Sequence, residues 1–272
     1  MSCLAWACCI AVMMDGAPPA KGPAALPEAK TGPQAKSGPE AKAGLVEILP
    51  GVRVNRAERL VEFDGKVAVD CHDPQTPTVY LEVIVTAPDT REHEALVVTS
   101  VKPSLIHAGL LAVGSEPGRP GWFERGPDGR ADAKPPTGST VKVELVTRDA
   151  AGVERVATPA EWMVHVRDGT RPAGDLAAWV HAGSRMVWRK DVRTGERTEV
   201  FDADGAGVIV GLHTFGSEVI ALTRVLNPEA GVDEPVWIAD SKAVPRLGEK
   251  VTVRLRVAKV GGVVEAVPAA AK

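Results

Sequence analysis

Short runs that mix apolar and polar residues recur along most of the chain, and they predict β-strands. From Leu45 to Asp70, valines alternate with charged residues around turn-like NRAER and DG segments, which predicts a small antiparallel meander. The run from Tyr80 to Ala87 is richer in β-branched residues and predicts a more buried strand. Further runs follow between turn residues: LVVTSV, VKVELVT, WMVHV, WVHAGSRMVW, TEVFDA, AGVIVGL, EVIAL, VWIA and VTVRLRVA.

One segment predicts a helix instead. Pro103 and Ser104 suit a helix start, an apolar body follows, and Gly114 and Pro117 mark the end. Many short strands beside one clear helix predict an α+β domain, a mostly antiparallel β-sheet with one main helix packed on it. Because no βαβα rhythm is present, the pattern disfavours a doubly wound nucleotide-binding sheet.

Composition divides the chain into five regions. Residues 1–16 form an apolar, signal-like leader, too short for the ~20 residues that span a bilayer and without a preceding Lys or Arg. Residues 17–44 are rich in Ala, Pro, Lys and Gly and predict a disordered tether. Residues 45–170 form one α+β region and residues 171–259 a second β-rich region, and the two regions are either one domain or two docked ones. Residues 260–272 predict a disordered tail.

Charge and cysteine use narrow the function classes. The chain has 32 Lys and Arg against 35 Asp and Glu, so it lacks the basic field that nucleic-acid binding normally needs. Three of its four cysteines lie in the leader, and Cys71 alone remains in the body. We therefore expect no internal disulfide and no iron–sulfur cluster.

Four residues form the candidate functional cluster: Glu92, His93, Glu94 and His107. Imidazole and carboxylate groups hold divalent metals or transfer protons, so a divalent metal bound by His93 and His107 is one hypothesis. The spacing is not that of an HExxH helix, so the two histidines do not share one helical face by spacing alone. The alternative is structural: His93 caps a loop, and His107 packs on its helix.

Two further residues are candidates for surface contact. Most of the six tryptophans are expected to fill the sheet-rich core, whereas Trp122, in a GWFE loop, is the candidate for an exposed contact. Arg185 lies in an apolar run, where its guanidinium either pairs with a buried carboxylate or binds an anion. His165, His181 and His213 lie singly in strand-like runs, which favours structural roles.

Two stretches carry a family resemblance. Arg91 to Gly118 combines a charged HE-type motif, a strand, a helix start at KPS, a histidine on the helix and a closing G-x-x-P-G. Trp179 to Val187, WVHAGSRMV, is similar to a W-V-x-x-GSR segment of larger family members. With these motifs in order, the chain from about Leu45 to Ala258 resembles the YdjY-domain family of bacterial envelope-associated proteins of undefined function. Some members carry ferredoxin-type cysteines, which this chain lacks, so an electron-carrier function is not implied.

Together these features predict an exported, non-catalytic binding or structural module in the periplasm or cell envelope. The expected partner is an unidentified envelope protein or polymer, not a nucleic acid, and membrane association is expected only through an uncleaved leader. No cofactor is predicted. The alternative is a metal-binding module or metal-dependent enzyme that uses Glu92, His93, Glu94 and His107.

Overall fold

The computed structural model describes residues 44–127, 131–149 and 151–258. These residues belong to one compact unit that begins at Lys42. The predicted leader and tail, and the predicted tether up to residue 43, lie outside the described residues.

Strands dominate the described residues, and the helices are short. The strands are β1 (Val46–Leu49), β2 (Val52–Asn55), β3 (Leu60–Val67), β4 (Val83–Thr86), β5 (Ala95–Val98), β6 (Pro117–Arg119), β7 (Trp122–Arg125), β8 (Ala131–Lys134), β9 (Thr137–Gly138), β10 (Thr140–Arg148), β11 (Glu154–Ala157), β12 (Met163–His165), β13 (Trp179–His181), β14 (Met186–Lys190), β15 (Arg197–Phe201), β16 (Val208–Gly211), β17 (Ile220–Leu222), β18 (Trp237–Ala239) and β19 (Lys250–Val257). The helices are α1 (Pro103–Ala112), α2 (Pro159–Trp162) and α3 (Asp202–Ala206), with 3-10 turns at Glu92–Glu94 and Gly174–Ala177.

Eight of the strands close into a barrel in the order β3-β19-β10-β13-β17-β16-β4-β5. The sheet closes because β5 also pairs with β3, through Lys66 opposite Val98 and Val67 opposite Val97. Neighbouring barrel strands are antiparallel except β4–β5 and β16–β17, which are parallel. The predicted α+β class, a sheet with one main helix packed on it, is therefore wrong: the fold is a mostly β closed barrel.

Every second side chain along the barrel strands points inward, and these side chains fill the barrel interior. In β3 and β19, which pair along their length, Phe63 lies opposite Val253 and Val61 opposite Leu255, and all four side chains are buried. An eight-stranded barrel is narrow enough for such side chains to fill its interior. The residues between them, such as Glu62 and Arg254, face outward and form ion pairs.

A glycine permits the closing contact. A Cβ atom on Gly65 would lie 2.8 Å from both Val97 Cγ1 and the Val98 carbonyl oxygen, closer than real Cβ contacts allow. Any larger residue would push β3 away from β5, where the barrel closes. The nonlocal pairing of these strands therefore depends on the missing side chain at Gly65.

The predicted helix is present as α1, with Pro103 in its first turn. Ile106 and Leu110 are fully buried in the main core. A Cβ atom on Gly109 would lie 2.7 Å from Val52 Cγ1, so this glycine lets α1 pack closely on β2. The helix also contacts β1 and β3, but it covers one part of a barrel rather than the face of an open sheet.

Both halves of the chain build the same barrel. β3, β4, β5 and β10 come from the 45–170 region, whereas β13, β16, β17 and β19 come from the 171–259 region. The last barrel strand, β19, lies between β3 and β10 of the first region. Among the described helices, none is both long and apolar enough to cross a bilayer.

Candidate functional site

The site is centred on the turn that follows β13. Gly183 and Ser184 both have positive φ angles, 82° and 55°, so the chain reverses sharply there. A Cβ atom on Gly183 would lie 2.7 Å from Pro117 Cβ and 3.4 Å from His107 Cε1. The turn thus packs directly against His107 of α1 and Pro117 of β6, and only glycine fits at Gly183.

A hydrogen-bonded chain of three side chains lies beside this turn. Nδ1 of His181, which is fully buried, lies 2.9 Å from Ser115 Oγ. Nε2 of the same ring lies 3.0 Å from Nδ1 of His107 on α1. His107 is half-buried, and its ring also packs against Phe201 with 5.2 Å between centroids. The chain therefore runs from a buried hydroxyl to an imidazole at the edge of the core.

Burial determines the charge of both histidines. Burial, and in second place the neighbouring His107, lowers the pKa of His181 to about 3. Burial also lowers the pKa of His107. The His181 ring is therefore neutral near pH 7, with one nitrogen as donor and the other as acceptor. Such a group holds α1 and β13 together, but it is a poor general base at neutral pH because its proton affinity is too low.

A second polar cluster lies on the other side of the turn. Arg185 Nε donates to Oδ2 of Asp202 at 2.9 Å, and Arg189 Nη2 donates to Oδ1 at 3.2 Å. Asp202 is buried, whereas the side chains of the two arginines are about half exposed. Ser184 Oγ accepts a hydrogen bond from the Ala203 amide at 3.2 Å. These bonds fix the start of α3 to the first residues after the turn.

This cluster anchors the two-stranded hairpin of β14 and β15. Met186 pairs with Phe201 at its base and Lys190 with Arg197 near its tip, and neither strand pairs with any other described strand. Trp188 is 67% exposed and Met186 is 54% exposed. Since side chains two residues apart share a face of a strand, both lie on the same face of the hairpin as Lys190.

The other described tryptophans differ from Trp188. Trp162, Trp179 and Trp237 are buried. Trp122, the tryptophan proposed from the sequence for surface contact, is half-buried, and the Arg119 guanidinium lies 4.0 Å from its ring centroid. The large exposed indole on the described surface is therefore Trp188, which the sequence analysis did not single out.

The residues of the predicted cluster are not all brought together. Glu92 accepts hydrogen bonds from the Asp89 and Thr90 amides. Hydrogen bonds from its own backbone amide and from these two outweigh the effect of burial and lower the pKa of Glu92. Glu94 pairs with Arg91 and lies 3.7 Å from the exposed His93 ring. His107 instead contacts His181.

Among the described residues, no group of three or more His, Cys, Asp and Glu side chains could hold a metal ion. His93 and His107, the proposed metal ligands, therefore do not belong to a common group of ligands among the described residues.

Sequence reasoning also missed the surroundings of Glu94. Nδ1 of His213 is buried and lies 3.9 Å from Oε1 of Glu82, with no hydrogen-bond partner among the described residues. Arg91 contacts both Glu82 and Glu94 and stacks on Phe215, 3.9 Å from its centroid. The Arg91 guanidinium therefore lies between the Glu82 and Glu94 carboxylates, where a bound cation would otherwise have to lie.

Glu218 is a second buried acid that the sequence did not reveal. Burial raises its pKa, and Oε1 accepts hydrogen bonds from the Phe215 and Gly216 amides. This carboxyl group supports the loop between the parallel strands β16 and β17. The signal in the sequence is a short polar stretch, from His213 to Glu218, between two apolar runs.

The sequence matches the YdjY domain over residues 52–256. The chain belongs to the YdjY domain family. The match begins at the first residue of β2 and reaches the penultimate residue of β19, so the domain includes the whole course of the barrel, α1 and the β14–β15 hairpin. The predicted family is therefore confirmed. No curated protein and no solved structure matches the chain.

Proposed function

We propose that this YdjY-domain protein is a non-catalytic binding module that works outside the cytoplasm and contacts a component of the cell envelope through its β14–β15 hairpin. The observation that carries the proposal is the 67% exposure of Trp188 on a hairpin that pairs with no other described strand. Tryptophan is enriched at the energetic centres of interfaces, because its large ring buries much apolar area.

The anchoring of the hairpin supports this role. Asp202 binds both Arg185, just before β14, and Arg189, within β14. A contact surface whose base is already fixed loses less conformational entropy when a partner binds. The described barrel and the His107–His181–Ser115 chain then serve as the rigid support.

Three features support the remaining parts of the proposal. The apolar run MSCLAWACCIAVMM and the Pro- and Ala-rich segment after it are typical of an export signal and a tether. The neutral, buried His181 is unsuited to acid–base work at neutral pH. Arg185 pairs with the Asp202 carboxylate within the protein, which favours a structural role for this residue over anion binding.

Co-sedimentation of the full-length protein with isolated bacterial envelopes tests the proposal. We expect Trp188→Ala to reduce the bound fraction at least about tenfold, as expected for loss of a central aromatic contact. Leu247→Ala is the matched control, because Leu247 is also a large, exposed apolar residue, 55% exposed, outside the hairpin. Absence of envelope binding by the wild type, or equal binding by wild type and Trp188→Ala, would contradict the proposal.

A further inference from the structure

The outer face of the barrel carries rows of charged residues that run across neighbouring strands. In one row the register places Arg53, Glu62, Arg254 and Glu144 side by side on β2, β3, β19 and β10. Opposite charges alternate along this row. Glu62 pairs with Arg254, and Glu144 lies 3.1 Å from Arg256 and 2.8 Å from Lys142. Cross-strand neighbours of opposite charge stabilise a sheet, so this row is balanced within the protein.

Another row on the same face breaks that pattern. Lys66 of β3 lies directly opposite Lys250 of β19. The pairing of β19 with β10 ends at Thr252 opposite Val146, and Arg148 lies two residues beyond that last pair on β10. Three cations therefore lie on adjacent strands, and the two paired strands that carry Lys66 and Lys250 are ~5 Å apart.

The two lysines have no direct ion-pair partner among the described residues. Arg148 pairs with Glu154, but neither lysine forms an ion pair or a side-chain hydrogen bond with any described residue. Like charges directly opposite each other destabilise a sheet. Asp64 and Glu249 are the nearest protein carboxylates, but among the described residues neither forms an ion pair with these lysines, so a bound anion would supply a direct partner for both.

The same three cations line a groove of about 840 Å³. This volume lies within the ~300–1,000 Å³ range of small-molecule sites. Hydroxyl groups of Thr147 and Ser100 line it as well and supply neutral hydrogen-bond donors.

Two of the carboxylates that line the groove are already engaged. Asp64 accepts hydrogen bonds from Arg53 and from Thr252. Glu92 accepts from the Asp89 and Thr90 amides. Glu249 also lines the groove, and its carboxylate has no hydrogen bond or ion pair with the described residues. The charge of Glu249 therefore repels a bound anion more strongly than the charges of Asp64 and Glu92.

We propose that this groove binds a small anion with two or more negatively charged groups, which Lys66 and Lys250 contact together. The two ammonium groups act as donors in charge-assisted hydrogen bonds, and the adjacent strands set their spacing. The proposal does not depend on the hairpin, because it uses residues of β3, β10 and β19 and the segments beside them.

Isothermal titration calorimetry of the full-length protein at low ionic strength tests this proposal, with pyrophosphate and citrate as probes. The two probes distinguish phosphate from carboxylate as the preferred group. We expect saturable binding of at least one of them, weakened at least about tenfold by Lys66→Gln or Lys250→Gln, since each removes a charge-assisted hydrogen bond. Added salt should weaken binding as well.

Two further variants sharpen the test. Glu249→Gln should strengthen binding, because it removes a negative charge from the groove. Lys190→Gln is the matched control, since it removes an exposed lysine on the hairpin and should leave affinity unchanged. The proposal is overturned if neither probe binds, or if Lys66→Gln and Lys250→Gln bind as tightly as Lys190→Gln. Because all three lysines are exposed, the substitutions should leave the fold intact.

Discussion

His181 Nε2 lies 3.0 Å from Nδ1 of His107, although 74 residues separate the two in the chain. This contact joins α1 to β13, which come from different halves of the sequence. The other nitrogen of His181 lies 2.9 Å from Ser115 Oγ, so the buried ring has both its nitrogens in hydrogen bonds. A neutral His181 is therefore part of the folded state.

The stability of the protein should fall in acid because of His181. Its pKa in the folded protein, about 3, is below the ordinary value of 6.5, so the unfolded chain binds a proton that the folded chain does not. This stabilisation is fully present above pH 6.5 and declines as the pH falls toward 3. The expected slope is up to ~1.4 kcal/mol per pH unit for this group.

Urea unfolding of wild type and His181→Gln at pH 7 and pH 4.5 measures this contribution. Glutamine keeps a donor and an acceptor but does not titrate. The stability advantage of the wild type should shrink by about 2–3 kcal/mol between the two pH values. Equal pH dependence of the two proteins would show that His181 is not a buried neutral group.

Gly183→Ala should destabilise the protein more than Gly152→Ala. Both glycines have positive φ, 82° and 79°, so both substitutions strain the backbone. At Gly183 the added Cβ would also lie 2.7 Å from Pro117 Cβ, whereas it meets nothing within 4 Å at Gly152. We expect an additional loss of about 1–3 kcal/mol at Gly183, measured by urea unfolding. Similar losses for both would refute the close packing of the turn.

Asp202→Asn should weaken the base of the hairpin. The substitution keeps the shape of the side chain but removes the charge that binds Arg185 and Arg189. Because both arginine side chains are about half exposed, we expect a modest loss of about 1–2 kcal/mol in the free energy of unfolding.

The matched control for Asp202→Asn is Glu199→Gln. Glu199 is exposed on β15 and forms no ion pair with the described residues, so its neutral variant should change stability by less than about 0.5 kcal/mol. Hydrogen exchange of the β14–β15 amides should be faster in Asp202→Asn but not in Glu199→Gln, which would place the effect in the hairpin. Equal stability and exchange in the two variants would contradict the anchoring role.

Local patterns in the sequence predicted local structure well. The alternation in VTVRLRVA becomes β19, and the apolar segment that begins at Pro103 becomes α1. The run WVHAGSRMVW, however, divides into β13 and β14, because the positive φ angles of Gly183 and Ser184 turn the chain between them. The presence of residues that tolerate a positive φ angle does not by itself show where the chain makes such a turn.

Barrel closure could not be predicted because it depends on nonlocal pairings. Alternation reports which residues of β3 face inward, but not that β5 will pair with its far end at Lys66 and Val67. The buried run in β4 is equally compatible with an open sheet covered on both faces. The predicted α+β class, an antiparallel sheet with one main helix packed on it, was therefore wrong at the level of topology rather than of strands.

The candidate site was only partly visible for a similar reason. His107 and Arg185 were singled out in the sequence, but their partners His181 and Asp202 are brought to them by the fold. Trp188 was missed because neighbouring valine and methionine residues resemble those of a buried strand. Its exposure follows from the absence of a third described strand beside the hairpin.

The central feature of the fold is a single closed barrel built by both halves of the chain. Cross-strand nuclear Overhauser effects in a uniformly labelled sample test this directly. We expect contacts between Val67 and Val97, which close β3 on β5, together with contacts between Val83 and Gly211, which join the two halves. If both sets are absent while the β3–β19 contacts between Phe63 and Val253 are present, the sheet is open and the closed barrel is contradicted.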